Sequence, residues 1–163
     1  MFQIEEIANT GNVEVKRNTS LKRLDYAAWS SPVANQKLLT FSPMTLANRF
    51  YTYISSGTTP TTAYTSVLNP ATTNFGTATG YLIRAENTMP ASLTSWTGTF
   101  TGTPNNGRIN PNLINSGVGL GFNLIGNPYP SPINISSFLT GNSSRIDGTI
   151  YFWTNTNAAV AGT

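Results

Sequence analysis

Two runs between residues 80 and 103 decide the fold: Gly80-Tyr81-Leu82-Ile83-Arg84-Ala85 and Ser95-Trp96-Thr97-Gly98-Thr99-Phe100-Thr101-Gly102. Both are short and rich in aromatic and β-branched residues, the composition of a pleated, half-buried surface. In the second, Thr97, Thr99, Thr101 and Thr103 recur at every other position, which places four threonines on one strand face. The same reading extends outward. Val13-Glu14-Val15-Lys16 alternates after the Thr10-Gly11-Asn12 break and reads as a strand. So do Arg49-Phe50-Tyr51-Thr52-Tyr53-Ile54, then Phe122-Asn123-Leu124-Ile125 after a glycine-rich approach at 117–121, and Thr149-Ile150-Tyr151-Phe152-Trp153-Thr154. The low-complexity tract at 55–79 reads as loop with one short strand near 63–68.

Turn and helix signals fit between these strands. Asn105-Asn106-Gly107 is a hairpin-type turn, since such turns require positive φ. Gly126-Asn127-Pro128-Tyr129-Pro130-Ser131-Pro132 is a rigid corner, with the residue before each proline held extended. Ser31 is held in the same way before Pro32. Helix is expected only in short pieces: residues 2–8, one turn within 44–50, and a capped stretch at Ser136-Ser137-Phe138-Leu139. No window of about 12 residues keeps helical periodicity, and no repeat is visible. Many short strands with frequent turns predict an all-β chain: an antiparallel β-sandwich, jelly-roll-like, with long Thr/Asn/Ser-rich loops, forming a single domain over 1–163.

Composition then narrows the chemistry. The chain has 163 residues with no cysteine and no histidine, and only 9% are charged. That excludes zinc fingers, Cys- or Ser–His nucleophile systems, histidine-ligated haem and disulfide frameworks. Thr, Asn and Ser supply about a third of the residues in place of charge. Eight Phe, seven Tyr and three Trp are enough to build one core without staples. The net charge is +3. The basic residues are dispersed, with only Lys16-Arg17 and Lys22-Arg23 as close pairs, and about 6–10 phosphate contacts would need nearly all of them. Nucleic acid is therefore not an expected partner. No apolar run approaches the roughly 20 residues of a membrane span, and the first residues have no signal-peptide pattern.

The candidate residues are few. Trp96, in a Ser/Thr-rich strand, and Tyr129, in the proline-rich corner, are the ligand-stacking candidates. Trp29 and Trp153 are expected to fill the core. The threonine ladder is read as the solvent face of an edge strand, because an ice-binding face would need several adjacent copies. The six carboxylates are Glu5, Glu6, Glu14, Asp25, Glu86 and Asp147. None is paired with another by any sequence signal, so no catalytic pair is assigned. Asp25 is expected to accept backbone hydrogen bonds or to pair with an arginine such as Arg84. No Asp-x-Asp-x-Asp calcium pattern occurs, and no metal or cofactor is expected. The N-x-[ST] matches at Asn18, Asn134 and Asn142 carry little information.

Three segments together carry a resemblance: Asp25-Tyr26-x-x-Trp29-Ser30-Ser31-Pro32-Val33, Gly80-Tyr81-Leu82-Ile83-Arg84, and Phe122-Asn123-Leu124-Ile125-Gly126-Asn127-Pro128-Tyr129-Pro130-Ser131. With Gly148–Trp153 after them, they resemble large cell-surface proteins of gliding Bacteroidetes exported by the type IX secretion system, in the region before the sorting domain. The resemblance spans roughly residues 10–154. It implies an excised piece of a larger exported protein whose signal and sorting segments lie elsewhere. The zero cysteine count fits such an extracellular setting. The function expected is a non-catalytic surface module for adhesion or attachment, with carbohydrate as the candidate ligand. A purely structural stalk between ectodomain and sorting domain is the alternative, as is an accessory domain of a polysaccharide-degrading enzyme. Expected partners are surface glycans, neighbouring domains of the same polypeptide and the secretion machinery, with no membrane insertion.

Overall fold

The computed structural model describes residues 8–115, 117 and 121–155. Most of the helix expected at 2–8, Glu5 and Glu6, residues 118–120 and the tail beyond 155 fall outside them. The fold is all-β and sandwich-like, built from two antiparallel sheets. β1 (Val13–Leu21) pairs with β6 (Thr94–Gly102) along its whole length, from Val13↔Gly102 to Leu21↔Thr94. The second sheet has the order β2-β5-β3-β4, with β2 at Tyr26–Trp29, β3 at Phe50–Tyr53, β4 at Tyr64–Ser66 and β5 at Tyr81–Arg84.

Period-two alternation explains the first sheet. Val15, Arg17, Thr19 and Leu21 turn inward from β1, while Glu14, Lys16, Asn18 and Ser20 turn outward. The threonine ladder of β6 lies on that same outward face. Thr97 Oγ1 donates to Asn18 Oδ1 at 2.8 Å across the ladder, and Thr103 Oγ1 to Asn12 Oδ1 at 3.4 Å. Its neighbours are thus charged and amide side chains rather than further threonine rows, and it is the solvent face of the sheet.

The inward faces meet in an aromatic core. Phe41 and Phe100 stack with ring centroids 4.3 Å apart, and Trp29 meets Phe41 edge-on at 5.0 Å. Phe75 closes the cluster against Phe41 at 5.4 Å, Phe100 at 5.6 Å and Tyr81 at 5.3 Å. Offset and edge-to-face pairs of this kind add about 0.5–1.5 kcal/mol each beyond area burial. Phe50, Ile83, Val33 and Leu38 complete it. The rings need room at β6, and Gly98 provides it: a Cβ there would sit 2.6 Å from the Phe41 ring. Trp29-Ser30-Ser31-Pro32-Val33 is buried throughout because it crosses from the second sheet to the end of the first. There Ala34 N donates to Thr103 O and Asn105 N to Pro32 O.

The helices are short. α1 (Leu38–Phe41) buries Leu38 and Phe41, and a 3-10 turn at Ala47–Arg49 falls within the stretch expected to contain one turn. α2 (Pro60–Ala63) was not expected, although Thr59-Pro60 is a cap followed by proline at the first helical position. α3 (Ile135–Gly141) begins at Asn134, whose Oδ1 accepts from Ser137 N.

Two expected strands do not form. Residues 122–125 make a single bridge, Thr79↔Ile125, with Gly80 N donating to Leu124 O and Gly126 N to Ala78 O. Gly126 also packs directly against Ser30, where a Cβ would lie 2.2 Å from the serine Cβ, so only glycine fits there. Residues 149–154 form no ladder at all. The open strand edge beside them is met by side chains rather than backbone. The hairpin expected at Asn105-Asn106-Gly107 does not form: the chain bends at Gly107, φ +72°, but Asn106 does not take positive φ and no paired strand follows.

Candidate functional site

The inner face of the second sheet belongs to the core, whereas its outer face carries Tyr26, Tyr51, Tyr53 and Tyr64. The register builds this. Tyr26 pairs with Arg84, Tyr51 with Leu82 and Ser66, and Tyr53 with Tyr64, so all of these share the side opposite Trp29, Ile83 and Phe50. Tyr26 and Tyr51 meet edge-on at 5.9 Å, and Tyr53 and Tyr64 at 5.2 Å. Trp153 then comes from the C-terminal segment onto Tyr64, edge-on at 6.3 Å.

Trp153 also reaches the other edge of the sheet. Ala85 N donates to Asp25 O, so antiparallel alternation turns the Tyr26 and Ala28 backbone groups away from β5 toward the open edge of β2. Tyr26 O is met there by Trp153 Nε1 at 2.8 Å and Asn155 Nδ2 at 2.9 Å. Between this edge, the end of β1 and the C-terminal segment opens a cleft of about 530 Å³, lined by Leu21, Lys22, Tyr26, Leu93, Phe152 and Trp153. That is within the size range of small-ligand sites. Phe152 and Tyr151 are 74% and 71% exposed beside it, and Phe122 stands edge-on to Tyr151 at 5.3 Å.

This corrects the expectation for Trp153. It is 47% exposed, whereas Trp29 is 8% exposed in the core as expected. The difference follows from the missing strand at 149–154, which leaves Trp153 laid against the sheet and Tyr151 and Phe152 largely exposed rather than packed between sheets. The two stacking candidates lie elsewhere. Trp96 is half-buried at the margin of the core, edge-on to Trp29 at 5.4 Å and to Phe41 at 5.5 Å, and its Nε1 donates to Glu86 Oε2. Tyr129 is half-buried in the proline-rich corner. Its hydroxyl donates to Gly107 O at 2.7 Å, and its carbonyl accepts from Arg17 Nη2 at 2.9 Å. Asn127 Oδ1 fixes the same corner by accepting from Tyr129 N. Neither residue belongs to the tyrosine face.

The electrostatics of the face are uneven. Burial pushes the Tyr26 hydroxyl above the ordinary phenol range, and its neighbour Tyr51 adds to this. Burial acts on Tyr51 in the same sense, but hydrogen bonds from Arg49, Ser66 and Tyr26 outweigh it and draw its pKa down. Tyr64 is raised by burial and by Tyr53. Raising the pH should therefore ionise Tyr51 before Tyr26 and Tyr64, read as tyrosinate absorbance, and Tyr51→Phe should remove the earliest of these three steps. The raised pKa values of Tyr26 and Tyr64 favour the folded chain below the free phenol value of about 10, and that contribution is lost as pH rises through their folded values. Tyr51 acts in the opposite sense, adding stability above about 10 that is lost as pH falls through its lowered value.

The described carboxylates are engaged elsewhere. Asp25 Oδ2 accepts from Lys22 N, which is the backbone-bonded alternative expected for it, and it makes no ion pair with Arg84. Glu86 accepts from Met44 N and Trp96 Nε1, and Asp147 from Thr149 N. Glu14 pairs with Lys16 at 3.7 Å on the surface. Among the described residues no cluster of three acids could hold a metal ion, and no helix is long and apolar enough to cross a membrane.

No curated protein and no solved structure matches this chain. One protein family does, over residues 1–163, under the description "Domain of unknown function (DUF8693)". Because that match spans every residue, the chain belongs to the DUF8693 family.

Proposed function

We propose that the chain is a non-catalytic carbohydrate-attachment module that works at the cell surface as part of an exported protein. The observation that carries the reading is the row Tyr53–Tyr64–Trp153 on the outer face of the second sheet, continued by Tyr26 and Tyr51. Sugar rings present flat C–H faces that stack on aromatic rings, while their hydroxyls need polar partners. Tyr and Trp answer both needs at low entropic cost, since each has an apolar body and a polar tip. Trp153 also keeps about half of its surface exposed, at 47%. The absence of cysteine and the polar, charge-poor surface are compatible with an extracellular setting, as is the resemblance to type IX secretion cargo.

Asp25, Glu86 and Asp147 each accept a local hydrogen bond, and the binding reading needs no facing pair of carboxyl groups such as hydrolysis requires. A stalk role, with the same face covered by a neighbouring domain, is favoured by one feature: the backbone edge of β2 is open. A glycan array probed with the whole chain separates the two. Binding that is lost in Trp153→Ala supports the carbohydrate reading, and no binding to any glycan favours the stalk.

A further inference from the structure

Among the described residues, two arginines on the tyrosine face have no anionic partner. Arg84 pairs with Tyr26 across the β2–β5 ladder. Arg49 immediately precedes Phe50, whose partner Ile83 adjoins Arg84, so the two guanidinium-bearing residues are neighbours at the end of the β3–β5 pairing. Arg49 Nη1 reaches the Tyr51 hydroxyl at 3.4 Å, and Arg84 Nη2 reaches Asn87 Oδ1 at 3.4 Å. These are long bonds. The Nε atoms of both arginines are buried and have no partner. Arg84 as a whole is only 8% exposed.

This arrangement costs stability. Like charges side by side on a sheet are unfavourable, and a buried guanidinium donor left unsatisfied costs more than a weak hydrogen bond returns. The described carboxylates are committed elsewhere: Asp25, Glu86 and Asp147 accept backbone or indole N–H, and Glu14 pairs with Lys16. Arg49 and Arg84 differ from the chain's other cations in that their Nε atoms are buried without a partner. Among the described residues no carboxylate reaches either arginine. No described carboxylate supplies the counter-charge that would relieve the pair, which leaves room for an anionic ligand. A planar guanidinium fork matches a carboxylate or a sulfate ester, each of which can take two parallel N–H bonds. The Tyr26 and Tyr51 rings beside the forks supply the stacking surface for the sugar that carries such a group.

We propose that Arg49 and Arg84, with the Tyr26 and Tyr51 hydroxyls, form an anion subsite that selects acidic glycans, those bearing carboxylate or sulfate. This rests on the carbohydrate reading and names the ligand class of the same face. Arg49 holds the accessible edge of the subsite, and Arg84 supplies charge from beneath.

The test titrates the whole chain with three probes: an oligogalacturonide, a sulfated galactan oligosaccharide and a neutral oligoglucan of matched length. The expected result is at least tenfold tighter binding of one acidic probe than of the neutral one. Which acidic probe binds identifies carboxylate or sulfate as the group recognised. R49Q should bring acidic binding down to the neutral level, and R49K should keep part of it. Raising the salt concentration with the unaltered chain gives the same readout without a substitution, because the acidic preference should then collapse. Equal binding of acidic and neutral probes, or an acidic preference insensitive to salt and to R49Q, overturns the anion subsite and leaves the carbohydrate face standing. Binding of none of the three overturns the carbohydrate reading and the subsite with it.

Discussion

Trp153→Ala is expected to weaken glycan binding at least tenfold, about 1.4 kcal/mol, with little loss of fold. Trp153 touches Tyr64 and the Tyr26 carbonyl from a segment that takes no part in either sheet. Its stability role is small for that reason. The hydrogen bond from its Nε1 contributes about 1 kcal/mol at most, and Asn155 Nδ2 still reaches the same carbonyl when the indole is gone. For a chain of this length that is a Tm change of only a few degrees. Isothermal titration against the best array ligand checks the first expectation and differential scanning calorimetry the second. A variant that binds unchanged removes Trp153 from the face, and one that unfolds shows the C-terminal segment to be structural instead.

Phe100→Ala carries the largest expected effect on stability. Phe100 is fully buried and contacts Phe41, Phe75 and Trp29, so truncation leaves a cavity between the sheets that three rings border. Aromatic truncations of this kind cost about 3–5 kcal/mol, against a total stability of roughly 5–15 kcal/mol for a domain. A Tm fall on the order of 10 °C follows at this chain length. Denaturant unfolding should show the midpoint falling with the slope preserved. A loss under 1 kcal/mol would mean that the sheets do not meet through this ring.

The contrast between these two residues shows what the sequence made legible. Phe100 lies in a run whose threonines alternate with an inward Phe, and period-two patterning sends it to the core without further information. The same logic found Val13–Lys16, residues 49–54 and the short strand after 63. It failed for Thr149–Thr154, where β-branched and aromatic residues match strand composition as well as any run in the chain. Composition describes a fit to a pleated surface, whereas a strand also needs a ladder partner. None is supplied, and Trp153 instead reaches the β2 edge with its indole N–H. Residues 122–125 likewise fit a strand by composition, yet they find a partner at only one bridge, Thr79↔Ile125.

The candidate face was only partly legible. Tyr51 and Tyr53 read from sequence as aromatics of one strand, and their common side follows from their spacing. That they join Tyr26 and Tyr64 depends on the order β2-β5-β3-β4, which pairs strands far apart in sequence. Local alternation carries no information about which strand lies beside which. Trp96 drew attention through its polar neighbours, but its inward register, opposite Thr19 of β1, sets it against Trp29. Arg84 sits in a run that reads as wholly apolar apart from itself. A lone charge in such a run was the one available sign of the arginine pair.

The central claim is that the tyrosine face, with Trp153 on it, receives the ligand. It is tested most directly by following the three indole N–H resonances in a two-dimensional nitrogen–proton spectrum while an array-selected oligosaccharide is added. The Trp153 signal should shift in proportion to occupancy, with those of Trp29 and Trp96 held in place by the core. A shift confined to Trp96, or saturation of binding with the Trp153 signal unmoved, would contradict the account.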